Sequence, residues 1–324
     1  MNITINKITE SILLYVAIST LVALTKFSID SLKFMNASKK NLLKIYGKKS
    51  WIIITGASSG QGKDYSIEFA KKGFNILMIG SVGCFHTQKI ISCKYPNVET
   101  KVIVKDFCLS YEKDFFNDVQ KFIENNNVSG LISNIGHRYG IKPYHKIDNK
   151  KIIDIISAKA ITQSIMIKIA LNKFIERKNH KSFIIVISAL VKNKSSIYDS
   201  DNINTLPFLS IYESANAYSF FHAKTLFEEF KTNPIYKNID YLNITPAGVI
   251  TSNTKYFLNN VPFSVKSKYF VKSSIGLLNN FNGISCGCFE HLIAYYLPSI
   301  LPIKFLKNKI EFEIGKNIAQ QCSY

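Results

Sequence analysis

The residues with the plainest chemical meaning lie in Thr55-Gly56-Ala57-Ser58-Ser59-Gly60-Gln61-Gly62-Lys63, entered from the apolar run Trp51-Ile52-Ile53-Ile54. A strand that ends in Gly-x-x-x-Gly-x-Gly and opens a helix aims backbone N–H groups and a helix N-terminus at one point. Glycine there lets backbone and ligand approach closely. The chemistry served is the binding of a pyrophosphate, with Gly56, Ser58, Ser59, Gly60 and Gly62 forming the cradle. A ligand-free strand–helix turn would show the same local pattern, so context matters. Asp64 to Lys72 continue as an amphipathic helix, Gly73 stands where a C-cap belongs, and Phe74 to Ile79 form a second apolar strand, which completes a βαβ unit.

The elements that must position this turn follow from hydrophobic periodicity. Lys101 to Val104 reads as a third strand, Phe115 to Asn125 as a helix, Gly130 to Ser133 as a fourth strand, and Ile152 to Ile175 as one long helix. Phe183 to Ile187 is almost purely apolar, as a central parallel strand buried on both faces must be. Tyr212 to Phe230 is the next helix and Ile239 to Ile244 the next strand. Such alternation predicts an α/β fold, a doubly wound, Rossmann-like parallel sheet. A polar segment from Lys192 to Asn204 interrupts it and reads as a surface loop at the carboxyl ends of the strands, beside the ligand crevice. The expected organisation is an apolar anchor with a basic linker over 1–45, the Rossmann-like domain over 46–275, and an apolar C-terminal extension over 276–324.

The formal net charge of +19 would suit a nucleic acid, yet the lysines are scattered, with no basic stripe interleaved with aromatics, so no nucleic-acid partner is expected. Compositional bias explains the charge; so does attraction to an anionic membrane face and to phosphate-bearing ligands such as acyl-CoA. The six cysteines show no Cys-x-x-Cys pair and no zinc-type histidine spacing, which predicts free thiols in a reducing compartment and no metal. Ser11 to Thr25 is an uncharged run whose fifteen helical residues reach only about 22 Å, short of a hydrocarbon core of about 30 Å. An anchor, an in-plane helix and a buried helix all remain open. Lysines 33, 39, 40, 44, 48 and 49 follow it, and positive-inside bias would leave the domain cytosolic. Leu292 to Ile303 is apolar but broken by Pro298 and Pro302, fit for interface contact or for covering a substrate.

From about Tyr46 to Thr251 the chain resembles the short-chain dehydrogenase/reductase family, and within it the membrane-bound very-long-chain 3-oxoacyl-CoA reductases and 17β-hydroxysteroid dehydrogenases. The resemblance rests on Thr55-Gly56-x-x-x-Gly60-x-Gly62, Ala70-Lys-Lys-Gly-Phe-Asn75, Glu99-Thr-Lys-Val102 with Asp106-Phe107, and Ser133-Asn134-Ile135-Gly136. It also rests on Glu176-Arg177, Pro207-Phe-Leu-Ser-Ile-Tyr212 and Pro246-Ala-Gly-Val-Ile-Thr251. It implies NADPH or NADP rather than NAD, since the second strand ends in Gly80-Ser81 without an acidic residue for the adenosine ribose, although it also lacks the arginine these reductases use. Asp106 matches the family's adenine-side Asp, Asn134 and Gly136 the motif flanking the cofactor, and Thr251 the nicotinamide-carboxamide contact. A lipid ketone or acyl-CoA substrate, an endoplasmic-reticulum membrane location, and lipid-elongation enzymes as partners are further implications.

The family reduces a carbonyl with a Tyr acid/base, a Lys that lowers the Tyr pKa, a Ser that orients the carbonyl and an Asn that supports a relay water; a phenol near pKa ~10 needs such a cation to ionise at neutral pH. Tyr212 matches the Tyr, but Asn216 stands one turn on where Lys is expected. The second serine of the strand-end pair is Ala189; Ser188 is adjacent, but successive strand side chains point to opposite faces. Ser195 or Ser196 of the inserted loop would be substitutes, and Tyr218 with His222 is an alternative register. The Asn position holds Lys159, so Lys and Asn look exchanged. Two readings stand open: a reductase in which Lys159 serves Tyr212, and a nucleotide-binding pseudoenzyme that regulates or scaffolds lipid elongation.

Overall fold

A computed structural model describes residues 2–35, 40–136, 142–189, 208–259 and 261–300. The apolar runs become β1 (Trp51–Thr55), β2 (Asn75–Gly80), β3 (Thr100–Val104), β4 (Val128–Ser133), β5 (Ser182–Ile187) and β6 (Ile239–Ile244). Two short strands, β7 (Val249–Ile250) and β8 (Val265–Lys266), pair with each other, and β9 (Gly283–Ser285) closes the main sheet. That sheet has seven parallel strands in the order β3-β2-β1-β4-β5-β6-β9. Every residue of β1, β2, β4, β5 and β6 is buried. Alternate side chains feed two cores: Ile52, Ile54 and Phe183 pack with Tyr65, Phe69 and Phe270 on one face, while Ile53, Leu131 and Ile184 pack with Phe122, Met166 and Phe174 on the other. Each such side chain contributes about 1.5–3 kcal/mol by burial, and the layers are those of a doubly wound sheet. Gly130 exists to admit Phe183, whose ring would stand 2.3 Å from any Cβ there.

The helices on these faces are α1 (Asn2–Met35), α2 (Leu42–Tyr46), α3 (Gly60–Lys71), α4 (Cys84–Lys94), α5 (Asn117–Asn125), α6 (Asn149–Ile156), α7 (Thr162–Glu176) and α8 (Ser210–Thr232), with α9 (Lys255–Leu258), α10 (Ser267–Gly276) and α11 (Phe289–Ile300) after β6. The expected long helix over 152–175 runs without a break from Asn149 to Glu176, with a π-turn over Ser157–Ile161 between α6 and α7. The cause is local. The Ser157 carbonyl accepts from the hydroxyls of Ser110 at 2.7 Å and Thr162 at 3.1 Å, which draws it out of the regular ladder. Lys159 sits in that turn. β9 lies beyond residue 275 and α2 buries Leu42 and Tyr46, so both expected domain edges contain elements of the core unit. Tyr46 donates to Asp240 at 2.7 Å, and Lys181 pairs with the same carboxylate at 3.0 Å.

The short N-terminal run is part of a much longer helix. α1 has 34 residues, and its window Leu14–Leu32 of 19 residues spans about 28 Å at ~1.5 Å per residue, close to a hydrocarbon core. Only 6% of that window is buried, which excludes a core helix. Phe27, Asp30 and Phe34 form the half-buried side, where Phe27 meets Phe289 of α11 tilted and Tyr296 edge-on, and Tyr296 donates to Asp30 at 2.8 Å.

Candidate active site

The sheet order reverses between β1 and β4, and doubly wound sheets take their ligands in the crevice outside the carboxyl ends of the strands at such a switch point. The glycine turn lies there. Gly56 and Gly60 have φ of +67° and +55°, a left-handed region that glycine enters without strain. Gly62 meets a different demand: a Cβ there would lie 2.2 Å from the Gly56 carbonyl oxygen and 2.9 Å from Asn134 Nδ2. Thr55 ties the strands together, donating to Ile132 O at 3.2 Å and accepting from Asn134 N at 3.0 Å. Ser59, exposed at the head of α3, makes no capping bond with its side chain, so the helix N-terminus keeps its N–H groups facing the crevice. Thr251 abuts Gly60, and Ser58 abuts Gly83 beside Ser81. Gly136 faces open space. Asp106 is exposed and caps the turn Phe107–Leu109 through Cys108 N at 3.0 Å. The structure thus gathers Gly56, Ser58, Ser59, Gly60, Gly62, Asn134, Gly136 and Thr251 about one crevice, with Asp106 past the end of β3.

The proton-handling candidates are arranged otherwise. Lys159 points at the ends of β4 and β5, where its ammonium donates to Ile187 O at 2.7 Å and Ile135 O at 3.2 Å, and burial lowers its pKa to about 8. Tyr212 sits near the start of α8, and burial raises its hydroxyl above the usual phenol value; Asn216 offsets this in part and Glu213 adds to it. Asn216 is buried and donates to the Tyr212 carbonyl at 3.1 Å, a bond within the helix. Ser188 continues the β5–β6 ladder and donates to Asn243 Oδ1 at 2.9 Å, while Asn243 in turn reaches Phe220 O on α8 at 3.3 Å. Tyr218 is exposed, stacked on His222 and bonded to Ser164 at 2.7 Å. Ser195 and Ser196 lie outside the described residues.

The pattern of strand, glycine turn and helix is shared with known proteins. The model of the short chain dehydrogenase family matches residues 50–200, from the approach to β1 to beyond β5. Residues 50–200 thus carry the pattern of the short-chain dehydrogenase/reductase family. The match takes in the glycine turn, the Asn134 segment, Lys159 and Ser188, and stops short of Tyr212. Among its relatives, human 17-beta-hydroxysteroid dehydrogenase type 3 is 26% identical over 296 residues, covering 89% of this chain and 87% of that one. The zebrafish Danio rerio very-long-chain 3-oxoacyl-CoA reductase-B is 25% identical over 324 residues, 96% of this chain and 93% of the relative. A human protein named inactive hydroxysteroid dehydrogenase-like protein 1 is 27% identical over 273 residues, 82% and 76%. At similar distance from this chain thus stand a relative named a dehydrogenase, one named a reductase and one named inactive.

Two features of the site escaped the sequence reading. His291 on α11 is fully buried; its Nδ1 accepts from Ala247 N at 3.3 Å and its Nε2 faces Gly248 O at 3.1 Å, so a neutral ring holds the loop that carries Thr251. Burial lowers its pKa, which keeps that form. A histidine at the head of the apolar run Leu292 to Ile303 was the available signal. The Ser157 π-turn, which sets where Lys159 points, depends on Ser110, distant in sequence, and gave none.

Proposed function

We propose that this chain binds NADPH at the membrane surface and has lost the carbonyl reduction typical of its family, acting as a nucleotide-binding pseudoenzyme beside the enzymes of lipid elongation. The observation that carries this reading is where Lys159 spends its charge: the lysine at the tetrad's Asn position gives two of its three N–H bonds to backbone carbonyls, and the burial that raises the Tyr212 phenol is offset only in part, by the neutral Asn216. With Ala189 in place of serine, no hydroxyl from that position orients a carbonyl.

The crevice fits a dinucleotide. Its glycines sit where backbone approach is close, α3 presents free N–H groups, and Gly136 leaves the floor open. Gly56, Ser58, Ser59, Gly60 and Gly62 would hold the pyrophosphate, Asp106 the adenine, and Asn134 and Thr251 the nicotinamide side. When bound, the nicotinamide supplies a hydride; Tyr212, a neutral phenol, can donate a hydrogen bond to a carbonyl but is poorly suited to accept a proton. Ser81 in place of an acidic residue supports NADPH over NADH. The exposed apolar side of α1, with Leu14, Tyr15, Ile18 and Leu21 outward, supports a membrane location, and the names of the relatives support acyl-CoA or steroid ketones as the ligands to test. We place this membrane in the endoplasmic reticulum, with the domain cytosolic.

One observation favours a second reading. A buried ammonium with a pKa of about 8 at the carboxyl ends of the two central strands is itself a competent proton donor. The experiment that separates the two is the triple change Lys159→Asn, Asn216→Lys, Ala189→Ser. Ketone-dependent NADPH oxidation that appears only in the triple variant supports the pseudoenzyme; oxidation by the natural chain that Lys159→Met removes overturns it.

A further inference from the structure

A cavity of ≈270 Å³ lies between α1, α8, the β6–β9 edge and α11, away from the nucleotide crevice. None of the residues assigned to the crevice lines it. Phe220, the nearest lining residue of α8, is two turns from Tyr212, about 12 Å at ~1.5 Å per residue. Phe34 of α1, Phe220, Leu277, Phe281 and Leu292 supply its apolar wall. The polar groups on that wall are largely engaged with one another: Thr245 Oγ1 donates to Ser285 O at 3.3 Å, and Tyr296 donates to Asp30 at 2.8 Å. Lys224 and Asp30 bring one charge of each sign, so the lining carries no net charge to match a phosphate. The volume falls just under the ~300–1,000 Å³ usual for compact small-molecule sites, which suits a narrow chain along the apolar wall better than a fused ring system.

We propose that this cavity binds the uncharged alkyl chain of a single-chain lipid that enters from the bilayer beside α1. The wall helix α1 turns Phe34 and Asp30 to the cavity and exposes Leu21, Ile29 and Leu32 on other sides, so one helix bounds both the cavity and the apolar exterior. The site is independent of turnover and of the nucleotide crevice. α11 connects it to that crevice, because Leu292 lines the cavity while the neighbouring His291 holds Ala247 and Gly248.

The test uses the full chain in lipid nanodiscs, without dinucleotide, and a diazirine-bearing hexadecanol cross-linked by light and mapped by mass spectrometry. The expected result is label on the segments of Leu277, Phe281 and Leu292 that excess hexadecanol competes away. Leu292→Trp should fill the cavity and reduce that label roughly tenfold, while Leu21→Trp on the exposed side of α1 leaves it unchanged. Label confined to residues 14–32 of α1 in the natural protein overturns the proposal, whether or not the tryptophan variant folds. So does cavity label that a folded Leu292→Trp retains. Tyr212→Phe should not alter the labelling, so failure here is distinct from failure of the proposed nucleotide function.

Discussion

Replacing Gly62 by alanine isolates the geometry of the cradle. The added Cβ would stand 2.2 Å from Gly56 O, 2.7 Å from Gly56 C and 2.9 Å from Asn134 Nδ2. Two of these atoms are backbone in a turn already held at a φ of +67°, so the clash is relieved only by moving β1 and α3 apart. Overpacking of this kind costs about 1–3 kcal/mol, and the contact with backbone puts Gly62→Ala at the upper end. For a domain of this size that lowers Tm by roughly 4–12 °C, at ~2–4 °C per kcal/mol. Displacement of the turn also separates the N–H groups of α3 from Gly56, so NADPH affinity should fall at least about tenfold, equivalent to ~1.4 kcal/mol. The matched control is Gly136→Ala, where no atom lies within 4 Å of the new Cβ and stability should stay within about 0.5 kcal/mol. Thermal melts and fluorescence titration with NADPH measure both variants. A Gly62→Ala protein that melts and binds like the natural chain would refute the reasoning.

Lys159→Met should change the pH dependence of stability: the native ammonium is already lost near pH 8 and the unfolded one near 10.5, so the natural chain gains stability on the variant as pH rises between those values, by at most about 3 kcal/mol. Difference melts across that window check it, and a flat difference contradicts the burial of the ammonium. His291→Leu should cost about 1–3 kcal/mol by stripping Ala247 N and Gly248 O of their partner. Because burial lowers the His291 pKa, its native-state contribution is fully present above ~6.5 and is lost as pH falls toward the native value; the variant should lack that acid limb in a pH series of melts. Ser188→Ala should cost about 1 kcal/mol through Asn243 and leave NADPH affinity unchanged in titration.

The fold was legible because its strands are apolar runs bounded by turns, and the order of strand and helix leaves one economical topology. The geometry of the glycine turn was legible because glycine reports backbone conformation: Gly56, Gly60 and Gly62 each stand where a side chain would strain or collide. What sequence spacing could not supply was direction. Lys159 and Asn216 suggested an exchanged pair; the π-turn aims Lys159 at the Ile135 and Ile187 carbonyls, while the Asn216 amide donates to the Tyr212 carbonyl and also offsets part of the rise in the Tyr212 phenol. Those outcomes depend on contacts with Ser110 and with strand ends remote in the chain. The N-terminal run was underestimated because Lys26, Asp30 and Lys33 look like a boundary, whereas α1 passes through them to Met35 and Asp30 finds Tyr296 on α11.

The central claim is that nucleotide binding survives without the family's proton chemistry. The direct measurement is single-turnover mixing of the full chain, preloaded with NADPH in nanodiscs, with 3-oxoacyl-CoAs of several lengths and steroid ketones, followed by nicotinamide absorbance. The account predicts stoichiometric NADPH binding and no ketone-dependent oxidation. A burst approaching one NADPH oxidised per chain, abolished by Tyr212→Phe, would contradict it.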